Sequence, residues 1–301
     1  MADEATGQRL PLITISPPRF GSLPCRQENL PMCAQFFHPS LFLLSAAISV
    51  GIVFPDSAAA DDAWGNIKGR IVYSENAPAV EKIDVERDAD VCSKVGLVDE
   101  SLVVNKSNRG IRNVAIWLDS REEIPVHSDF ENLPMETPMI DNRDCRFQPR
   151  VLTVRTGQIF ELRNSDPVAH NAAVYARRNT PFSEIIPQNQ PLQKKFVKSE
   201  TLPVRVDCSI HSWMKAWLIV SDHPYVAVTD EDGNFEIRNV PAGEWKFRFW
   251  HERPGYMLSL VTNGQLAPLE KGNWVQNIAA DKTRDLGELI APAEQFMAKK
   301  K

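Results

Sequence analysis

The sequence predicts an all-β protein of the sandwich type. Three observations carry this. Apolar and polar residues alternate over short runs, as half-buried strands require. Twenty-two prolines and fourteen glycines are scattered between those runs rather than clustered, which suits many short strands joined by turns. Stretches with the three-to-four-residue apolar spacing of a helix are almost absent. The chain of 301 residues is 43% apolar and 24% charged, so a packed core is expected. Its formal net charge of −5 comes without a basic patch, which argues against a nucleic-acid partner.

The first sixty residues read as a leader. Residues 41–53 (LFLLSAAISVGIV) form an apolar run too short to span a bilayer comfortably and of the right length for a signal-peptide core. Ser57-Ala58-Ala59-Ala60 follows with the small residues a signal peptidase needs. Export to the periplasm, or otherwise out of the cytoplasm, is therefore expected, with no membrane span in the mature chain. A signal peptide seldom begins forty residues in, so translation can start at Met1 or at Met32. Removing the leader takes Cys25 and Cys33 with it and leaves Cys92, Cys145 and Cys208. An odd count in an oxidising compartment suggests one pair and one thiol kept for chemistry. Cys92 and Cys145 are then a candidate disulfide, the alternative being two separate buried thiols.

In chain order, 67–73 has strand composition, and 83–85 and 101–104 are weaker strand candidates within a polar stretch. Residues 113–118 form a clear strand, while 120–138 lose periodicity, carry three prolines and read as a linker. Strands are expected at 151–155, 159–163, 170–175, 192–197, 204–208 and 217–220. Residues 176–190, with Arg-Arg-Asn-Thr-Pro and Ile-Ile-Pro, read as a long loop. A second β unit begins at 225–228 and passes through an Asp-Gly turn into 235–237. It continues at 245–250, with weaker strands at 256–261 and 273–279. The end, 292–301, reads as a tail that frays.

Within seven residues, Cys208-Ser209-Ile210-His211-Ser212-Trp213-Met214 offers a thiolate, an imidazole and a thioether. That soft donor set suits copper better than magnesium or calcium. A second histidine stands 38 residues upstream, in Asn164-Ser165-Asp166-Pro167-Val168-Ala169-His170-Asn171. Two imidazoles and a thiolate in a trigonal arrangement, with a weak axial thioether, make a one-electron copper site. Cys-x2-His-x2-Met is by itself a common pattern. Its weight comes from the upstream histidine and the export signal.

These residues resemble the cupredoxins. The Cys-x2-His-x2-Met loop and the upstream Asn-x-Asp-x3-His-Asn carry the resemblance, over about 137–221, and the loop spacing is that of amicyanin. The resemblance implies a Greek-key sandwich over 137–222 holding one copper ion that cycles between Cu(I) and Cu(II), with His170, Cys208, His211 and Met214 as ligands. Asn171 corresponds to the asparagine that ties the two ligand loops together. In the family the loop histidine breaks the surface inside an apolar docking patch. Trp213 and Ile210 would contribute to such a patch here, unless Trp213 packs inward against the second domain. The partner would be a redox protein such as a cytochrome c or a dehydrogenase.

A second resemblance lies further on. Ala227-Val-Thr-Asp-Glu-Asp-Gly-Asn-Phe-Glu-Ile and Val-Pro-Ala-Gly-Glu-Trp-Lys-Phe look like half of a carboxypeptidase-regulatory-like, transthyretin-like sandwich. Its other half would lie in 64–120, so that 64–120 and 225–291 form one discontinuous sandwich with the cupredoxin inserted.

Other chemistries fit less well. A binuclear copper centre wants a second cysteine at Val204, and multicopper enzymes want His-x-His pairs that the six histidines do not make. Zinc prefers cysteine and histidine without methionine. No Ser-His-Asp, phosphate-loop or paired-carboxylate pattern stands out, so a carrier rather than an enzyme is expected. The alternatives are a copper storage or delivery protein, or a metal-free envelope module.

Overall fold

The computed structural model describes residues 63–297, and the expected leader with its apolar core at 41–53 lies outside them. The described chain is almost all β. Its first strand, β1 (Trp64–Tyr73), pairs antiparallel with β13 (Asn234–Pro241) and parallel with β19 (Thr283–Ala291). Two more strands, β16 (Ser259–Thr262) and β17 (Gln265–Pro268), complete that sheet in the order β13-β1-β19-β16-β17. The facing sheet runs from β12 (Val226–Val228) through β2 (Ala115–Leu118) to β14 (Gly243–His251), which also pairs with β15 (Gly255–Tyr256) and β18 (Asn273–Ile278). Among the described residues no strand before residue 120 joins the sheets formed between 139 and 221. The outer sandwich is thus discontinuous in sequence, closed by one parallel pairing between its first and last strands.

The inner sandwich interrupts it between β2 and β12. One sheet orders β5 (Val151–Arg155), β11 (Lys215–Ser221), β10 (Val204–Asp207), β7 (His170–Val174) and β8 (Phe182–Ile186). The other orders β4 (Arg146–Gln148), β3 (Met139–Arg143), β6 (Ile159–Asn164) and β9 (Leu192–Lys195).

Each sandwich has its own core. Ile67, Ile71, Ile116, Tyr225, Phe247 and Phe249 are fully buried in the outer one, and Phe160, Leu162, Val206, Ala216 and Leu218 in the inner one. A smaller cluster of Ala115, Val151, Ile219 and Trp250 joins the two. There the Arg150 and Glu252 side chains form a forked ion pair, and the Trp217 indole donates to Glu252 Oε2 at 3.3 Å. Gly233 is required by close approach: a Cβ on it would lie 2.2 Å from the Ile71 carbonyl oxygen, and its φ of +80° favours glycine.

Several expectations are corrected. The stretch 176–190 is not a continuous loop, because Phe182–Ile186 pairs with β7 along its full length. Residues 83–85 and 101–104 form no strand, only isolated bridges from Lys82 to Val98 and from Val104 to Ile111. The expected fraying tail is docked as far as Phe296. Ala293 and Phe296 are buried in the outer core, with Phe296 edge-on to Tyr73 and His251. Among the described residues no helix is long and apolar enough to cross a membrane.

Two buried histidines make the fold acid-sensitive. Burial first, then the charges of Arg150 and Arg253, push His251 down to about 3. Burial also dominates at His223 and pushes it down to about 4. Both lie below the ordinary 6.5, so below pH 6.5 the unfolded chain takes up protons that the folded chain refuses. Their stabilising contribution is complete above pH 6.5 and drains as the pH falls toward 4 and then 3. Thermal melting should show a midpoint that drops through this range, with a shallower slope in an H223Q/H251Q variant. Identical slopes would contradict the assignment.

Candidate metal centre

The site is built where strand ends of the inner sandwich meet. Strands β10 and β11 pair from Val204↔Leu218 to Asp207↔Lys215, and the chain between them turns back within seven residues. The Cys208 N–H donates to the Met214 carbonyl at 3.2 Å, and the Met214 N–H to the His211 carbonyl at 3.0 Å, which closes the loop at its neck. His170 opens β7, which pairs beside β10. The sequence separation of 38 residues is thereby reduced to side-chain contact.

Three ligand atoms converge. The Nδ1 atoms of His170 and His211 lie 3.1 Å apart, and Cys208 Sγ is 3.8 Å from His211 Nδ1. One ligand atom from each of the three residues lies within 4.8 Å of the others, and all three side chains are buried. With metal–nitrogen bonds of about 2.0 Å and a metal–sulfur bond of about 2.3 Å, the edges of a trigonal plane measure roughly 3.5 to 3.7 Å. The observed spacings bracket that range, so the three donors fit a single small transition-metal ion. Met214 is buried in the inner core on the same loop.

Each imidazole is aimed by a carboxylate on its far nitrogen. His170 Nε2 is 2.9 Å from Asp166 Oδ2, and His211 Nε2 is 2.9 Å from Asp88 Oδ2. Asp166 is itself fixed by the backbone N–H groups of Asp144 and Cys145, at 2.8 and 2.9 Å. With Nε2 engaged, Nδ1 is the nitrogen left to face the centre. Asp166 stands in the Asn-x-Asp-x3-His-Asn run, whereas Asp88 is 123 residues from its histidine and no local pattern marks it.

Asn171 ties the two ligand segments. Its Oδ1 accepts from the Ser209 N–H at 2.7 Å and lies 3.4 Å from Cys208 Sγ. Its Nδ2 donates to the hydroxyls of Ser183 and Ser209, both at 3.2 Å.

The electrostatics favour a thiolate. Burial alone raises the Cys208 pKa. A hydrogen bond from His170 and the backbone N–H groups of Asn171, His211 and Ile210 outweigh it and bring the thiol down to about 6. Burial likewise opposes the charge on His170, yet hydrogen bonds to Asp166 and Cys208 and their charges raise it to about 9. Without a metal the site therefore favours a buried thiolate against an imidazolium, and a metal cation would take the place of that proton.

Cys92 and Cys145 form a disulfide, with Cα atoms 5.6 Å apart. Among the described residues Cys208 is the free cysteine. The disulfide belongs to a small cluster with Leu97, Ile83, Val85, Val168 and Trp213. For Trp213 the sequence leaves two placements open, a docking patch or inward packing. Trp213 turns inward against the disulfide, its indole donating to the Cys145 carbonyl at 3.0 Å, and Ile210 is half-buried against the inner core. His211 exposes none of its side chain. These residues form no open apolar patch around a surface histidine, because the segment from 80 to 97 lies over that end of the inner sandwich.

No family model matches the chain, and no curated protein matches it. Solved structures do, at a distance. A copper-containing nitrite reductase (NirK) from Thermus scotoductus SA-01 is 23% identical over 32% of this chain, with a TM-score of 0.27, and the match spans a quarter of that enzyme. Amicyanin from Paracoccus versutus is 18% identical over 35% of this chain and 96% of its own, with a TM-score of 0.26. A purple cupredoxin from Nitrosopumilus maritimus is 19% identical over 28% of this chain and 99% of its own, with a TM-score of 0.24. These neighbours are cupredoxins, and the likeness is partial.

The disulfide closes a 53-residue separation, and the chain-entropy relation assigns such a loop about 4 kcal/mol. A C92A/C145A variant should lose about that much in denaturant melts. A loss below about 1 kcal/mol would show that packing alone holds the segment in place.

Proposed function

We propose that this protein is an exported carrier of one copper ion that gains and loses a single electron, and not an enzyme. The observation that carries this reading is the convergence of His170 Nδ1, His211 Nδ1 and Cys208 Sγ in a buried site whose far nitrogens are both held by carboxylates. Bound copper would supply the one-electron couple. His170, His211 and Cys208 would hold it, with Met214 as a weak fourth ligand. The chain's own work is to keep these donors still, so that little rearrangement accompanies electron gain or loss. Asp166 and Asn171 serve that end by fixing one histidine and joining the two ligand segments. The disulfide suits an oxidising compartment, and the partner would be another redox protein, such as a cytochrome c or a dehydrogenase.

A second reading has one observation in its favour. His211 is sealed from solvent, which obstructs electron exchange at that edge and suits copper storage or delivery with the same ligands. Stopped-flow mixing with a cytochrome c separates the two, since a carrier exchanges electrons rapidly and a store does not. The outer sandwich, in the likeness of a carboxypeptidase-regulatory-like domain, would serve stability and attachment.

Adding Cu(II) to the purified protein should bring up the intense visible absorption of a thiolate–copper bond at one ion per chain. Cys208→Ser should abolish the colour. A colourless copper-treated protein, or an unchanged spectrum in that variant, contradicts the proposal.

A further inference from the structure

The segment that seals His211 comes from outside the inner sandwich. It leaves the outer sandwich after β1, carries Asp88 and the short helix α1 (Ala89–Cys92), and is bonded through Cys92 to Cys145 in the turn between β3 and β4. Asp88 adopts a left-handed backbone conformation, φ 47° and ψ 41°, and its carbonyl accepts from the N–H groups of Val91 and Cys92 at 3.0 and 2.9 Å. That conformation is uncommon for a residue other than glycine and persists where the surroundings impose it. Here it directs the carboxylate onto His211 Nε2 at 2.9 Å, while the histidine itself is wholly buried. The same turn that anchors the disulfide also grips Asp166, through the N–H groups of Asp144 and Cys145. One covalently braced unit therefore reaches both ligand histidines from behind.

We propose that Asp88 is a positioning residue for the metal centre, supplied by the outer sandwich. It holds the His211 ring with Nδ1 inward, strengthens it as a donor, and with its strap closes that face of the site. This rests on the copper reading above and deepens it. A carboxylate behind a ligating imidazole raises the ligand's basicity, and loss of such a partner typically costs about 10- to 100-fold in metal affinity. Its negative charge favours the more positive ion, so the oxidised state gains more than the reduced one. The strap also excludes a protein partner from the His211 edge, so electrons must enter the site by another face.

The test uses the full chain with Asp88→Asn, Asp88→Ala and, as a control on the same turn, Asp90→Ala, an exposed carboxylate. In copper-loaded protein, Asp88→Ala should weaken Cu(II) binding about tenfold and raise the reduction potential, by about 59 mV if Cu(I) binding is unchanged. Asp88→Asn, which keeps an acceptor but loses the charge, should retain the wild-type visible spectrum and still shift the potential upward. Asp90→Ala should leave both unchanged. Unaltered potentials in both Asp88 variants, or an equal shift in the control, overturn the proposal. A second arm needs no metal: maleimide labelling of the metal-free chain, located at Cys208 by peptide mass. The buried thiol should react slowly in the wild type and at least tenfold faster in Asp88→Ala, as expected when the carboxylate that holds the disulfide-bonded strap against His211 is lost. If wild-type protein binds no copper, the copper reading fails. The labelling arm then decides alone whether Asp88 holds the site closed, and equal labelling rates overturn it.

Discussion

An imidazole can offer a metal only the nitrogen its surroundings leave free. In this protein a carboxylate occupies Nε2 of both His170 and His211, and the paired Nδ1 atoms are turned toward each other and toward Cys208. Much of the architecture serves that constraint. Asp166 is held by two backbone N–H groups of the β3–β4 turn, and the same turn is bonded to Cys92, four residues beyond Asp88. Asn171 bridges β7 to the Cys208 loop from the other side. Remove this scaffold and the three donors become unrelated side chains on one strand and one loop.

The nesting of one sandwich within another explains how such a scaffold arises. Because among the described residues β1 and β2 pair only with strands after residue 225, the chain leaves the outer sandwich and returns to it. The segment between β1 and β2 is free to lie across the inner sandwich. The junction is not loose: Trp217, Trp250, Ile219 and Val151 pack there, and the Arg150–Glu252 pair neutralises two largely buried charges. An unpaired charge at that depth would be strongly destabilising. Rigid attachment allows a residue of one sandwich to act at the centre of the other.

Much of this was legible in the sequence, and the limits have physical reasons. The Cys208 loop and His170 could be found because a tight turn between strands keeps its ligands at fixed short spacing. The all-β class followed from alternation and turn signals. Strand β8 was hidden because Arg177-Arg178-Asn179-Thr180-Pro181 reads as breaker and Phe-Ser-Glu-Ile-Ile does not alternate, although in the fold its side chains alternate between at least half-buried and exposed and it pairs fully. Strands β3 and β4 were hidden because Asp141, Asn142, Arg143 and Arg146 look like loop residues, while in the fold Asp141 and Asn142 are buried. Asp88 was beyond reach. It is one acidic residue among several in a polar stretch, and only tertiary structure brings it to His211. The tail misled for a similar reason, since Phe296 is an ordinary aromatic until the outer core is seen to close over it.

One metal ion held between one thiolate and two imidazoles is what this scaffold is proposed to serve. X-ray absorption at the copper edge of the loaded protein measures that coordination directly. Bound copper should show one short copper–sulfur bond from Cys208 and two copper–nitrogen bonds from imidazoles, with the short sulfur contribution lost in Cys208→Ser. A spectrum with no short sulfur neighbour, or with a second copper in the first shells, would contradict it.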